Sequence, residues 1–267
     1  MKTDVTADQI NEYQTRGFVV IEDFLTLEEL QTWRERVDDA VARRQKSKLA
    51  NSDAESGDSY YDKVFTQRLN LWMDHEGVRK LMVDPRLGEM ATKLAETGGI
   101  RIWHDQALIK EPWANPTGWH LDNPYWSFSS RDAISIWVAL DDATLENGCL
   151  YFLPGTHKDA TWDNAPIGEN ISDLFDTYPQ WAKMTSVAAP MKAGSCSFHN
   201  GLLAHGAGAN MTPGRRRAMT CAYMPDGCTF NGKANVLPPD YLATLKERDL
   251  LDNDEQNPLI YRQANAN

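Results

Sequence analysis

The spacing of apolar residues changes in the middle of this chain, and that change restricts the possible folds more than any other feature. Before Gly98 and Gly99 the apolar residues recur at helical spacing, and after them the period falls to two. Short β-rich runs follow, separated by turns rich in Gly, Pro, Asn and Asp. The runs cover 100–110, 133–141, 148–153, 194–199, 202–205 and 216–224. Because they do not alternate with helices, they favour a mainly β fold with flanking helices, a barrel or jelly roll, over a parallel α/β sheet.

Two capping boxes predict helices in the first part of the chain. Thr6 stands three residues before Gln9, and Thr26 three residues before Glu29. A short strand is expected between these helices at 18–21, and helical spacing returns over 68–98. We expect one domain over 1–267: a helical part over about 1–98, a β core over about 99–226 and a polar C-terminal tail over 227–267.

Two further segments do not fit this regular pattern. Residues 46–62 are rich in Ser, Asp, Lys and Asn, which is typical of an exposed loop or a lid. Residues 157–190 form a long insertion between two strands, with aromatic residues among polar ones. The sequence assigns no role to the insertion.

Charge and cysteine content exclude several classes of protein. The chain carries 38 acidic and 27 basic residues, a net charge of −11, which disfavours binding to nucleic acid. Its four cysteines form no CxxC pair, so we expect reduced thiols. No apolar stretch approaches the ~20 residues of a membrane span, and the polar N-terminus does not resemble a signal peptide. We expect a cytoplasmic protein that does not enter a membrane, and the oligomeric state stays open.

The most informative segment contains His120 and Asp122. In an extended chain residues two apart point to the same face, so both side chains can reach one ion. A metal site needs a third ligand, and the spacing offers two candidates, His199 and His205. Spacing alone does not choose between them.

Arg216 favours His205 as the third ligand. It follows His205 by eleven residues across a Gly, Asn and Pro turn, where a hairpin would bring the next strand alongside. Arg216, Ala218, Thr220 and Ala222 then share one face, as in the interior of a ligand-holding barrel. An inward arginine requires an anion, whereas neighbouring Arg215 and Arg217 are expected to face solvent.

Two histidines and one carboxylate form the facial triad of non-haem Fe(II) oxygenases. At these residues the sequence resembles the phytanoyl-CoA dioxygenase family of Fe(II)/2-oxoglutarate-dependent oxygenases. The matching segments are 13–20, His120 to Asp122, 142–158, 205–210 and Arg216, and they occur in the family's order. The resemblance runs from about residue 8 to about residue 226.

This resemblance implies a double-stranded β-helix, a cupin-like jelly roll, as the core. It also implies Fe(II), 2-oxoglutarate and O2 as cofactor and cosubstrates, with succinate and CO2 as coproducts of hydroxylation at an unactivated C–H bond. The implied iron ligands are His120, Asp122 and His205. Arg216 is the implied partner of the distal 2-oxoglutarate carboxylate, and Gln106 and Trp137 are implied to border the same pocket.

Two positions distinguish this chain within the family. Ala207 stands where several relatives carry a hydroxyl residue, so that contact to the cosubstrate is expected to be missing. Asp122 retains the carboxylate that halogenating members replace with a small residue. Hydroxylation or a related oxidation is therefore the expected chemistry.

The substrate is less well specified than the cofactor. Aromatic residues surround the HxD segment and suit a flat, apolar or cationic small molecule as well as core packing. They are Trp103, Trp113, Trp119, Tyr125, Trp126 and Phe128. The acidic balance favours a small free metabolite over a coenzyme A thioester. A cupin-like metal- or sugar-binding protein and a Zn²⁺ hydrolase remain the alternative functions.

Overall fold

The computed structural model describes residues 1–49 and 60–264. Its α-helices are α1 (Ala7–Arg16), α2 (Leu27–Arg44), α3 (Leu71–Asp74), α4 (Glu76–Met82), α5 (Pro85–Ala95), α6 (Thr156–Asp159), α7 (Leu174–Thr177) and α8 (Pro239–Leu242). Its strands are β1 (Phe18–Ile21), β2 (Thr66–Leu69), β3 (Gly99–Lys110), β4 (Thr117–His120), β5 (Ile134–Ala139), β6 (Leu150–Phe152), β7 (Val187–Ala189), β8 (Cys196–Asn200), β9 (His205–Ala207), β10 (Arg216–Pro225) and β11 (Leu259–Arg262). Short 3-10 helices lie at Tyr60–Lys63, Asn123–Tyr125 and Trp181–Lys183.

The N-terminal helices begin where the capping boxes predicted. The Thr6 hydroxyl accepts a hydrogen bond from the Gln9 amide, and the Thr26 hydroxyl accepts one from the Glu29 amide. Both boxes are closed by the reciprocal side chain, which confirms this local prediction. The lid predicted for 46–62 falls mostly on residues 50–59, which lie outside the described residues.

Two antiparallel sheets form the β core. The larger sheet runs β1-β8-β5-β10-β3-β11, with β2 also pairing with β3, and the smaller runs β4-β9-β6-β7. The predicted mainly β jelly roll with flanking helices is therefore confirmed. Helices α1 to α5 precede β3 in sequence, and their apolar faces share one buried cluster with the larger sheet.

Strand β10 shows how the larger sheet separates core from cavity. Met219, Cys221 and Tyr223 belong to the cluster under the helices. The alternate residues Arg216 and Thr220 line a cavity between the sheets. The predicted inward face of 216–222 is therefore present, because successive side chains of a strand point to opposite faces.

Three details differ from the sequence-based predictions. Leu69, assigned to a helical segment, lies in β2, and the run predicted at 202–205 is a turn that leads into β9. The segment 227–267, predicted as a polar tail, adds β11 to the larger sheet and buries apolar side chains against Trp103 and Trp126. The buried apolar residues of this segment are few and widely spaced, so its sequence shows no periodic pattern that would predict these contacts.

The insertion at 157–190 covers the end of the core that carries the HxD segment. Leu174, Tyr178 and Trp181 pack in a cluster with Leu121 and Leu202. All four cysteines are free thiols. Among the described residues, no helix is long and apolar enough to cross a membrane.

Candidate metal centre

Adjacent strands of the smaller sheet bring the HxD segment to a distant histidine. His120, the last residue of β4, pairs in register with His205, the first residue of β9. Asp122 follows in the turn after β4. One donor atom from each of His120, Asp122 and His205 lies within 4.8 Å of the others. The structure thus brings together the three residues predicted as metal ligands.

Backbone carbonyls orient both histidines. The Nδ1–H of His120 donates to the Gly118 carbonyl at 2.9 Å, and the Nδ1–H of His205 donates to the Leu203 carbonyl at 2.9 Å. Each bond fixes the tautomer and leaves Nε2 with a free lone pair. Both Nε2 atoms face Asp122, at 3.5 and 3.7 Å from its Oδ1.

The protonation states suit a divalent cation. Burial, and then the charge of nearby His120, lower the pKa of His205 to about 3, so its imidazole is neutral at pH 7. Burial opposes ionisation of Asp122, but the charge and hydrogen bonds of the surrounding histidines outweigh it and hold the pKa of Asp122 well below its usual value. Two imidazoles and one carboxylate are a ligand set that iron and zinc both accept.

His199, the other candidate ligand, lies beside the three donors but faces a different atom. Its Nε2 lies 3.3 Å from Asp122 Oδ2, whereas the contacts of His120 and His205 are to Oδ1. The His199 ring lies 4.7 Å from the His205 ring, centroid to centroid. The group of three donors found in the structure contains His205 and not His199.

A narrow cavity of about 60 Å³ leads from the three donors to Arg216. The guanidinium is 1% exposed and lies 5.1 Å from the centre of the Trp137 ring and 5.8 Å from that of Phe65. Its Nε and Nη1 have no hydrogen-bond partner within 1–49 and 60–264. Burial lowers the pKa of Arg216 to about 10, so it stays charged at pH 7. A buried guanidinium with unpartnered N–H groups is suited to bind a carboxylate.

The other residues predicted near the cosubstrate also line this cavity. Trp137 and Ala207 are both among its lining residues. Gln106 lies between this cavity and a wider one, and its side-chain oxygen accepts a hydrogen bond from Gln67 at 2.5 Å. Gln106 therefore lines both cavities and not the Arg216 cavity alone.

Sequence reasoning missed Lys110. It pairs in register with Arg216 across β3 and β10, is fully buried, and donates from Nζ to the Asn115 carbonyl at 2.7 Å. Burial, and then the charge of Arg216, lower the pKa of Lys110 to about 7. A lysine at the end of a predicted strand usually faces solvent, so only the strand register reveals this second buried cation.

A wider cavity of about 390 Å³ adjoins the donors on the other side and also reaches His120 and Asp122. Tyr125 and Trp126 line it, as two of the predicted aromatic residues. The other four predicted aromatic residues are not part of its lining. Trp103 and Phe128 are core residues, Trp119 packs on Phe175, and Trp113 is 64% exposed.

One expectation about charged side chains changes, and one further histidine lies at the wider cavity. Arg217, expected to face solvent, is 14% exposed and forms ion pairs with Asp141 and Asp38 at 2.6 Å. Arg215 is half exposed, as expected. His104, to which the sequence assigned no role, lines the wider cavity and has an Nδ1 without a hydrogen-bond partner in the described chain. Burial lowers the pKa of His104 to about 4.

The comparisons with known proteins define the class. The model of the phytanoyl-CoA dioxygenase (PhyH) family matches residues 13–218. A phytanoyl-CoA dioxygenase of Arabidopsis thaliana is 25% identical over 85% of this chain and 91% of its own length. A methylphosphonate hydroxylase of Gimesia maris is 26% identical over 84% of this chain and 82% of its own length.

Solved structures agree with this class. The non-haem α-ketoglutarate-dependent carbocyclase SnoK from nogalamycin biosynthesis superposes with a TM-score of 0.78 at 25% identity, covering 96% of each chain. The epimerase SnoN, crystallised with Fe³⁺, α-ketoglutarate and nogalamycin RO, gives 0.75 at 24% identity over 95% of this chain and 97% of its own.

Fold and family together define a dioxygenase. The chain belongs to the phytanoyl-CoA dioxygenase family, which confirms the resemblance found in the sequence. The prediction of an iron- and 2-oxoglutarate-dependent enzyme is confirmed at the level of this class, and the donor set present here fits an iron ion. The assignment of individual residues to these groups stays a prediction.

Proposed function

We propose that this protein is an Fe(II)/2-oxoglutarate-dependent dioxygenase that hydroxylates an unactivated C–H bond of a small metabolite in the cytoplasm, with succinate and CO2 as coproducts. The observation that carries this proposal is the distribution of charge along one cavity. Three metal donors lie at one end, and the unpartnered guanidinium of Arg216 lies at the other.

The proposal assigns a role to each end of the narrow cavity. His120, Asp122 and His205 would hold the iron, and Arg216 would bind the distal carboxylate of 2-oxoglutarate. Trp137 packs on the guanidinium and limits its movement, which orients the cosubstrate toward the three donors. When bound, iron and 2-oxoglutarate supply the activation of dioxygen, and the protein supplies geometry and exclusion of water.

The wider cavity would hold the substrate, because it reaches His120 and Asp122 and its described lining does not include Arg216. Tyr125 and Trp126 offer aromatic surface, and Asn235, Gln67 and Gln106 offer amide groups. Among the described residues lining this cavity, Lys48 is the one lysine or arginine. A coenzyme A thioester carries several phosphate charges, so this lining favours a small free metabolite.

The alternatives are a cupin-like metal-binding protein and a Zn²⁺ hydrolase. Either would use His120, Asp122 and His205, but neither requires a buried arginine at the far end of the cavity. A charged guanidinium without a carboxylate partner costs stability in a protein that binds no anion there. Arg216 therefore favours the oxygenase.

Calorimetry with 2-oxoglutarate and glutarate tests the proposal. Glutarate has both carboxylates but lacks the keto oxygen, so it occupies the Arg216 end without chelating a metal. We expect Mn²⁺-loaded protein to bind 2-oxoglutarate at least ~10-fold more tightly than glutarate, a difference of about 1.4 kcal/mol, and the preference to vanish without metal. Folded, metal-loaded protein that binds neither acid would support the alternatives.

A further inference from the structure

We infer that His199 is a positioning residue that holds Asp122 as a one-oxygen metal ligand. The inference rests on the proposed function, because it concerns the same metal centre. The sequence offered His199 and His205 as rival third ligands, and the structure gives them different partners. His205 faces Oδ1 of Asp122, and His199 faces Oδ2.

The geometry separates the two oxygens of Asp122. Oδ1 lies 3.5 Å from His120 Nε2 and 3.7 Å from His205 Nε2, so it belongs to the group of donors that surrounds the proposed ion. Oδ2 lies 3.3 Å from His199 Nε2. A hydrogen bond to Oδ2 keeps that oxygen away from the metal and leaves Oδ1 as the ligand. It thereby preserves the open positions that the cosubstrates need.

The hydrogen bonds also indicate which nitrogen of His199 faces Asp122 as a donor. A carboxylate oxygen accepts hydrogen bonds, so the contact to Oδ2 at 3.3 Å assigns the donor role to Nε2 of His199. The Nδ1 atom has no hydrogen-bond partner within the described residues. His120 and His205 show the opposite arrangement, because their Nδ1–H groups donate to carbonyls and their Nε2 atoms are free. His199 is therefore a donor toward Asp122, whereas the other two histidines are ligands.

The surroundings of His199 fix the direction of this bond. His199 lies on β8, where it pairs in register with Ser135 of β5 and Phe18 of β1. Its ring is 4% exposed and lies 5.7 Å from the Phe152 ring, centroid to centroid. The backbone of His199 is fixed by strand pairing on both sides, and its buried ring lies close to an aromatic ring, so the side chain loses little entropy when it orients the carboxylate.

Binding of Co²⁺ to the metal-free protein tests the inference without turnover. His199→Phe keeps the ring volume but removes the donor, and His199→Gln keeps an N–H donor of similar reach. We expect His199→Phe to weaken Co²⁺ binding by about 10- to 100-fold and His199→Gln to restore most of that loss. The visible d–d spectrum of Co²⁺ should change in His199→Phe, because freed Oδ2 approaches the metal and alters its coordination number.

A matched control separates this role from packing. His157→Phe removes another imidazole, which lies outside both cavities with its Nε2 3.3 Å from the Gln14 carbonyl oxygen, and we expect its Co²⁺ affinity to match the wild type. Circular dichroism and thermal melting verify that each variant is folded. Wild-type affinity and spectrum in folded His199→Phe would overturn the inference, as would equal losses in the Phe and Gln variants.

The same measurements distinguish failure of the inference from failure of the proposed function. If wild-type protein binds Co²⁺ but no 2-oxoglutarate, the proposed function fails while the His199 comparison remains valid. If wild-type protein chelates 2-oxoglutarate and His199→Phe binds Co²⁺ normally, only the role of His199 is wrong.

Discussion

Arg216 and Lys110 lie directly opposite each other on adjacent antiparallel strands, and both cations are buried. Their side chains share contact with the Phe65 ring. Two like charges in a low-dielectric interior raise the energy of the empty protein, because neither is fully solvated. A dicarboxylate bound at this end of the cavity would relieve that repulsion. The pair therefore suits 2-oxoglutarate better than a neutral ligand.

Replacement of Arg216 should strongly weaken the binding of 2-oxoglutarate and leave metal binding unchanged. Arg216→Met removes the charged fork, and we expect the Kd for 2-oxoglutarate to rise at least ~30-fold, corresponding to about 2–5 kcal/mol. Arg216→Lys should recover little, since a lysine cannot form the paired bonds of a guanidinium. Calorimetry on Mn²⁺-loaded protein measures both, with the half-exposed neighbour in Arg215→Met as the control. Unchanged affinity in Arg216→Met would remove the main support for an oxygenase.

Lys110 should make stability depend on pH. Its folded pKa is about 7, below the unfolded value of ~10.4, so between these values the unfolded chain binds more protons. The destabilisation caused by the buried charge of Lys110 is fully present below pH 7. The contribution of Lys110 to the free energy of unfolding then rises from pH 7 toward pH 10. Lys110→Met should raise the Tm of the ligand-free protein at pH 7 by ~3 °C or more, as expected for about 1 kcal/mol.

The comparison of two pH series isolates this effect. The wild type should gain stability relative to Lys110→Met between pH 7 and pH 9.5 in thermal melts. Parallel pH profiles for the two proteins would contradict a depressed pKa at Lys110. A lower Tm for Lys110→Met at pH 7 would show that the bond to the Asn115 carbonyl outweighs the buried charge.

A serine at position 207 should increase the affinity for 2-oxoglutarate. Ala207 lies two residues after His205 on β9 and lines the narrow cavity. A serine hydroxyl there would add a hydrogen-bonding group to the lining of this cavity. Ala207→Ser should tighten 2-oxoglutarate binding by about 0.5–1.5 kcal/mol, or a few-fold in Kd. Ala188→Ser, on β7 and outside the residues that line this cavity, is the control. An unchanged Kd for 2-oxoglutarate in Ala207→Ser would place the cosubstrate elsewhere.

Gly148 anchors the turn that leads into β6. Its φ of +89° suits glycine, and a Cβ there would lie 2.5 Å from the Gly208 carbonyl oxygen and 2.8 Å from the Lys110 side chain. Gly227 has a similar φ of +92° but nothing within 4 Å of its Cβ position. Gly148→Ala and Gly227→Ala both introduce backbone strain of about 1–3 kcal/mol. The additional loss of unfolding free energy in Gly148→Ala therefore measures the steric clash of its Cβ. Equal losses of unfolding free energy in urea denaturation would show that the turn at Gly148 shifts to avoid the clash.

The sequence predicted the metal donors but not the environment of the far end of the cavity. His120 and Asp122 share a face because of strand geometry, and His205 was preferred through its spacing from Arg216. Lys110 was missed because its burial depends on the pairing of β3 with β10, which no local pattern records. Strand β11 was missed because four residues within a polar segment give too short a periodic signal. Arg217 was misjudged because its partners, Asp38 and Asp141, are distant in sequence.

The most direct test of the proposed function is an anaerobic titration of Fe(II) into metal-free protein with 2-oxoglutarate, followed by visible absorption. Chelation of the 2-oxo acid by iron at His120, Asp122 and His205 predicts a metal-to-ligand charge-transfer band that saturates at one iron per chain. The band should be absent in His205→Ala and in Asp122→Ala. Folded, iron-loaded wild-type protein that shows no such band would contradict the oxygenase and favour a metal-binding protein or a zinc hydrolase.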